Sequence, residues 1–196
     1  RPRENGSNST GDQVGVRELS LHILDVLENA VEAGASTIKV HIVEDLRAGW
    51  MVIEIVDNGR GMNQGVIERV FDPFYTTRKT RHVGLGLPLL RDAARRCEGD
   101  LDIQSEPGKG IRLKVTFRRN HIDRAPLGDM PAALLAVLLS ERPVDLEYSH
   151  KVGSEEFRFD SSEIRKELED IPLTHPKVRG WILQTLQEGE ASLSHE

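Results

Sequence analysis

Between Asp57 and Leu87 the chain carries three short elements in order: Asp57-Asn58-Gly59-Arg60-Gly61-Met62, Phe71-Asp72-Pro73-Phe74-Tyr75-Thr76-Thr77-Arg78 and Gly84-Leu85-Gly86-Leu87. The first follows the apolar, β-branched run 50–56 and reads as a buried strand ending in a sharp turn. The last opens a helical pattern over 87–97, with Pro88 tolerated in the first turn. A strand end, a loop and a helix start in this order can supply the parts of one binding place. The free amides and dipole of a helix start favour anions, and paired glycines let backbone approach a ligand, so the place suits a phosphate-bearing molecule.

Upstream, Leu19, Ile23, Leu24, Leu27, Ala30 and Val31 recur at helical spacing over 16–33, and Gly34 is placed to end that helix in the left-handed region. His22, Asp25 and Asn29 share one face of it. Alternating runs at 37–43 and 50–56 predict paired strands, and 101–105 with 111–118 predict a hairpin around Pro107-Gly108-Lys109-Gly110. After Arg119 the composition shifts. Residues 121–126 read as a connector to a smaller unit: a helix capped by Asp129, strands near 144–150 and 155–159, a helix opened by the box Asp160 to Glu163, and a last helix capped by Thr174. The residues from Gly189 onward read as frayed. The expected division is a polar tail at 1–12, a main domain at 13–119 and a small α/β unit at 120–196, partner-facing or packed on the core.

The 196 residues suffice for one ordinary core without staples, and a single cysteine, Cys97, excludes a disulfide framework or a Cys-rich metal site within the chain. That usage fits a reducing cytoplasm. No apolar run reaches the roughly 18 residues of a membrane span, so no membrane is expected as a partner. A net charge of -6 argues against general nucleic-acid binding. A local basic group, Arg78, Lys79 and Arg81, suits a smaller anion such as a triphosphate.

The chemistry of each element follows from its residue types. An Asn oxygen at position 29 suits a hard, mostly hydrated Mg ion, and a carboxylate one turn away, Asp25, could orient or deprotonate an attacking nucleophile. His22, a further turn away on the same face, could assist Asp25, but reads more simply as part of an ordinary solvated helix face. Asp57 can accept from an exocyclic amino group, with Gly59, Gly61 and Met62 shaping the approach to a base. Phe74, Tyr75, Thr76, Thr77, Arg78 and Lys79 suit a lid over a nucleotide. Gly84, Leu85, Gly86 and Leu87 bring a helix start to its phosphates.

These residues resemble the GHKL superfamily of gyrase B, chaperones of the ninety-kilodalton heat-shock class, sensor histidine kinases and MutL. The resemblance covers about residues 16–118. It implies the Bergerat ATP-binding fold: an α+β two-layer sandwich of helices over one face of a mixed sheet, here followed by a small αββαα appendage. It also implies ATP and Mg as cofactors, Asn29 as the Mg residue, Asp57 as the adenine reader, Gly84 and Gly86 at the phosphates, and a lid from Met62 to Gly84.

The subfamily signal is divided. Residues 72–78 and 84–87 resemble the lid of sensor kinases. Asp25 stands where the ATPases carry a general-base Glu, Glu32 stands where kinases carry Lys, and Ala33-Gly34-Ala35 is similar to MutL. Three features depart from the pattern: His82 replaces the first Gly of the second glycine box, Ile111 replaces Thr, and no phosphoacceptor His box precedes the domain. The expectation is a stand-alone Mg-ATP protein that transfers phosphate to a separate protein or hydrolyses ATP slowly as its lid closes. A non-catalytic ATP sensor acting on an unidentified protein partner is the alternative, and a homodimer is left open.

Overall fold

The computed structural model describes residues 18–72 and 86–193. In chain order these form α1 (Leu19–Glu32), β1 (Thr37–Asp45), β2 (Trp50–Asp57), the one-turn α2 (Gln64–Ile67), α3 (Gly86–Arg96), β3 (Leu101–Ser105), β4 (Ile111–Arg118), α4 (Met130–Leu138), β5 (Asp145–Val152), β6 (Glu155–Asp160), α5 (Ser161–Leu168) and α6 (Pro176–Ala191). The six strands make one mixed sheet in the order β3-β4-β2-β1-β5-β6, parallel only between β1 and β5. This is the expected α+β architecture.

Alternation explains the layering. Ile38, Val40 and Ile42 of β1, with Met51, Ile53 and Ile55 of β2 and Leu113, Val115 and Phe117 of β4, point to one side and join α1, α3, α4 and α6 in a single core. The residues between them face outward, where Lys39–Glu147 and Arg112–Glu54 pair across neighbouring strands.

The order α4-β5-β6-α5-α6 is the expected αββαα, and its strands extend the same sheet: β5 pairs with β1 from Thr37↔Asp145 to Glu44↔Val152. Leu134, Leu146, Tyr148, Ile182 and Leu186 are fully buried in the common core.

Two local expectations change, and one short element is added. The last helix is capped by His175 rather than Thr174: its ring nitrogen accepts from Lys177 N, and Pro176 at the helix start gives up no needed donor. Nor does the chain fray at Gly189, because α6 runs on to Ala191 and packs Gly189 so tightly that a Cβ would lie 2.2 Å from the Phe157 ring. The one-turn α2, capped by Asn63, was not foreseen.

Far from the glycine elements, His150 of β5 is wholly buried between two carboxylates. Its Nδ1 lies 2.9 Å from Glu190 of α6 and its Nε2 3.3 Å from Glu44 of β1. Tyr148 donates to Glu190 at 2.7 Å, and Arg119 donates to Glu44 at 2.7 Å. Burial alone would lower the His150 pKa, but the hydrogen bonds and charges of Glu190 and Glu44 push it up to about 9. A raised folded-state pKa gives stabilisation that is full below the ordinary value of 6.5 and lost as pH rises through about 9. The amount is about 3 kcal/mol. Melting temperature is therefore expected to fall as pH rises from about 7 to about 10. In Glu190→Gln the fall should be smaller and end nearer neutrality, because the folded-state pKa of His150 is raised less, and identical profiles would contradict the bridging role.

Candidate functional site

A cleft with about 350 Å³ of empty volume, part of it open to solvent, lies between α1, the ends of β2 and β4, and the start of α3. Val26, Ala30, Ile55, Met62, Leu87, Ile103, Ile111 and Leu113 line it, and Asn29 and Asp57 supply its polar side chains. An apolar slot with a few placed polar groups is the usual form of a small-molecule site.

Asp57 is the last residue of β2 and only 6% exposed. Its Oδ1 accepts from Gly59 N at 2.8 Å, which folds the following turn back on the carboxylate. Burial raises its pKa above the usual carboxylate value, opposed by backbone hydrogen bonds from Gly59 and Ile111.

The turn after Asp57 leaves little room for a side chain at its two glycines. A Cβ on Gly59 would stand 3.0 Å from Asp57 Oδ1 and 3.1 Å from Ala33 Cβ. Gly61, at φ +64, would place one 2.0 Å from the Glu106 carbonyl. Asn58 ties the turn to the start of β1 by accepting from Ser36 N at 2.9 Å and Thr37 N at 3.0 Å. Ser105 accepts from Met62 N and donates to the Gly110 carbonyl.

On α1, the predicted face resolves into two environments. Asn29 lines the cleft. Asp25 lies against the first turn of α3, where a Cβ on Gly86 would stand 3.0 Å from Asp25 Cβ and 3.4 Å from its Oδ2. His22, expected on a solvated face, is instead buried at 4% exposure. Thus Asp25, Asn29, Asp57, Gly59, Gly61, Met62, Gly86 and Leu87 converge. Phe74, Tyr75, Thr76, Thr77, Arg78, Lys79, Gly84 and Leu85 lie outside the described residues.

Sequence reasoning placed Gly110 only in a hairpin turn. It sits at φ +76 with no room for a side chain, since a Cβ would be 1.9 Å from the Asp57 carbonyl oxygen. The signal was a second glycine where the turn itself needed only Gly108. Ile111, noted as standing in place of Thr, pairs with Asp57 across β2 and β4 and presents an apolar wall to the cleft.

Several known proteins are similar in sequence to this chain. Sporulation kinase C of Bacillus subtilis (strain 168) is 32% identical over 112 residues, covering 57% of this chain and 25% of the kinase. Signal transduction histidine-protein kinase AtoS of Escherichia coli (strain K12) is 36% identical over 99 residues, covering 50% of this chain and 16% of AtoS. A crystal structure of full-length ShkA in complex with AMPPNP aligns at a TM-score of 0.42 and 21% identity, over 50% of this chain and 20% of that one. The chain spans a quarter or less of the length of the curated relatives it matches. Among the described residues, no helix is long and apolar enough to cross a membrane. The profile of one family matches residues 15–121, more than half of the chain, so this protein belongs to the histidine kinase-, DNA gyrase B- and HSP90-like ATPases.

Proposed function

We propose that the protein binds Mg-ATP in the cleft between α1, β2 and α3 and splits its terminal phosphate. The phosphoryl group passes either to a separate protein or, slowly, to water. The observation that carries this reading is the placement of Asp25 against the start of α3, one helical turn from Asn29 in the cleft. It sets a carboxylate beside the helix end that favours phosphate.

The residues fit the nucleotide. Asp57 has one oxygen held by Gly59 and a second able to accept from the adenine amino group, and the apolar walls enclose the base. Asn29 would hold Mg, with phosphate oxygens and water completing the shell, and the metal would neutralise charge on the phosphates. Asp25 would orient the attacking hydroxyl, water or imidazole and take its proton where it has one. Arg78 and Lys79, outside the described residues, would on this reading supply cations to the phosphates. Cytoplasmic location and a protein partner belong to this same reading.

The test is incubation with ATP labelled at the terminal phosphate, alone and with candidate partner proteins. Label on a partner histidine identifies a kinase, and free phosphate alone identifies an ATPase. Binding without either product leaves a nucleotide sensor, in which ATP shifts the protein between conformations that differ in affinity for a partner. That last outcome would overturn the assignment of Asp25.

A further inference from the structure

We propose that the strap at residues 126–128, which lies beyond the matched family region, positions α1 and thereby Asp25 and Asn29, with Gly128 as the positioning residue. The inference rests on the nucleotide reading of the cleft.

The first amides of a helix have no partner within it, and α1 has no side-chain cap. The strap fills that role: Leu19 N donates to the Pro126 carbonyl at 3.0 Å and Ser20 N to the Leu127 carbonyl at 2.7 Å. Gly128 follows at φ +82, a conformation that L side chains rarely adopt. A Cβ there would fall 2.4 Å from Glu18 Oε2, 2.5 Å from Ser20 Oγ and 2.6 Å from Glu18 Cβ. A side chain there would displace the Glu18 and Ser20 side chains at the helix start and would also hold the strap in an unfavourable φ.

The strap is itself fixed at both ends. Upstream, Arg124 donates to the Arg119 carbonyl, and Arg119 is paired with the buried Glu44. Downstream, Asp129 caps α4 by accepting from Ala132 N at 2.9 Å, and α4 packs on α1. The first turn of α1 therefore stands on a support built from the C-terminal third of the chain. Asp25 and Asn29, one and two turns further on, inherit its position. Placement of such groups is sensitive, since a displacement of about 1 Å can cost roughly a hundredfold in rate.

The test compares wild type, Gly128→Ala and a control, Gly153→Ala, by calorimetric titration of the full-length protein with ADP, with and without Mg. Gly153 also has positive φ, but lies in the β5–β6 turn beside Leu46, away from the cleft. Without Mg, affinity depends on the base pocket and should stay within about twofold in all three proteins. The Mg-dependent gain depends on Asn29 and should shrink roughly tenfold in Gly128→Ala while surviving in Gly153→Ala. A purely structural glycine would lower melting temperature in both variants and leave the Mg-dependent gain alone.

Pro126→Gly keeps both strap carbonyls but loosens the backbone, and it covers the case in which Gly128→Ala does not fold. It should reduce the Mg-dependent gain by a few fold. If wild type binds no nucleotide, the reading of the cleft falls and this inference falls with it. If wild type shows the Mg-dependent gain and the strap variants keep it in full, only the role of the strap is overturned.

Discussion

Asp25→Asn is expected to leave nucleotide affinity within a few fold of wild type while lowering turnover by roughly one to three orders of magnitude. The substitution keeps size and shape, so packing of α1 against Gly86 is preserved. It removes the negative charge and the basic oxygen pair that orient or deprotonate the nucleophile. An interaction made only in the transition state lowers kcat without weakening ground-state binding, and that pattern separates this role from magnesium binding by Asn29. Single-turnover phosphate release, with binding measured in parallel, checks it. Full turnover in a folded Asp25→Asn protein would refute the base, leaving His22 to Asn29 as a packing face with one metal residue.

Ending the chain after Arg119 is expected to abolish folding. The cut removes β5, which pairs with β1 from Thr37 to Glu44, and turns a central strand into an exposed edge. It also removes the fully buried Met130, Leu134, Leu146, Tyr148, Ile182 and Leu186. At about 1.5 to 3 kcal/mol for each buried side chain, the loss matches or exceeds the roughly 5 to 15 kcal/mol by which domains are stable. Helix α1 loses its strap carbonyls at the same time. The truncated protein should therefore aggregate or show no cooperative thermal transition. A soluble, monomeric truncation that still binds ATP would instead establish 13–119 as a self-sufficient domain and 120–196 as a separable, partner-facing module.

Most strands were legible because their two faces differ: the alternation in 37–43 and 111–118 follows from a sheet that, among the described residues, buries one face under helices. The convergence of Asp57, Gly59, Gly61 and Gly86 was legible because turn, close approach and helix start each demand specific residue types. The parallel pairing of β1 with β5 was not, since no local signal carries the register of strands about a hundred residues apart. For the same reason Glu44, His150 and Glu190 each pass as ordinary polar residues, and only the pairing of their elements makes them a buried cluster. Gly189 and Gly110 show the same limit. Both sit where a distant group, Phe157 or the Asp57 carbonyl, leaves no room for a side chain, and neither neighbour is near in sequence.

The most direct measurement is calorimetric titration of Mg-ATP into the wild-type protein and into Asp57→Asn. The cleft offers the base one buried acceptor, and replacing it removes a charge-assisted hydrogen bond and turns an amide donor toward the adenine amino group. Wild type should bind one ATP per chain, and the folded variant should lose about 1.5 to 3 kcal/mol, roughly ten- to a hundredfold in affinity. Absence of ATP binding by wild type, or equal affinity in a folded Asp57→Asn protein, would contradict the assignment of this cleft as the ATP site.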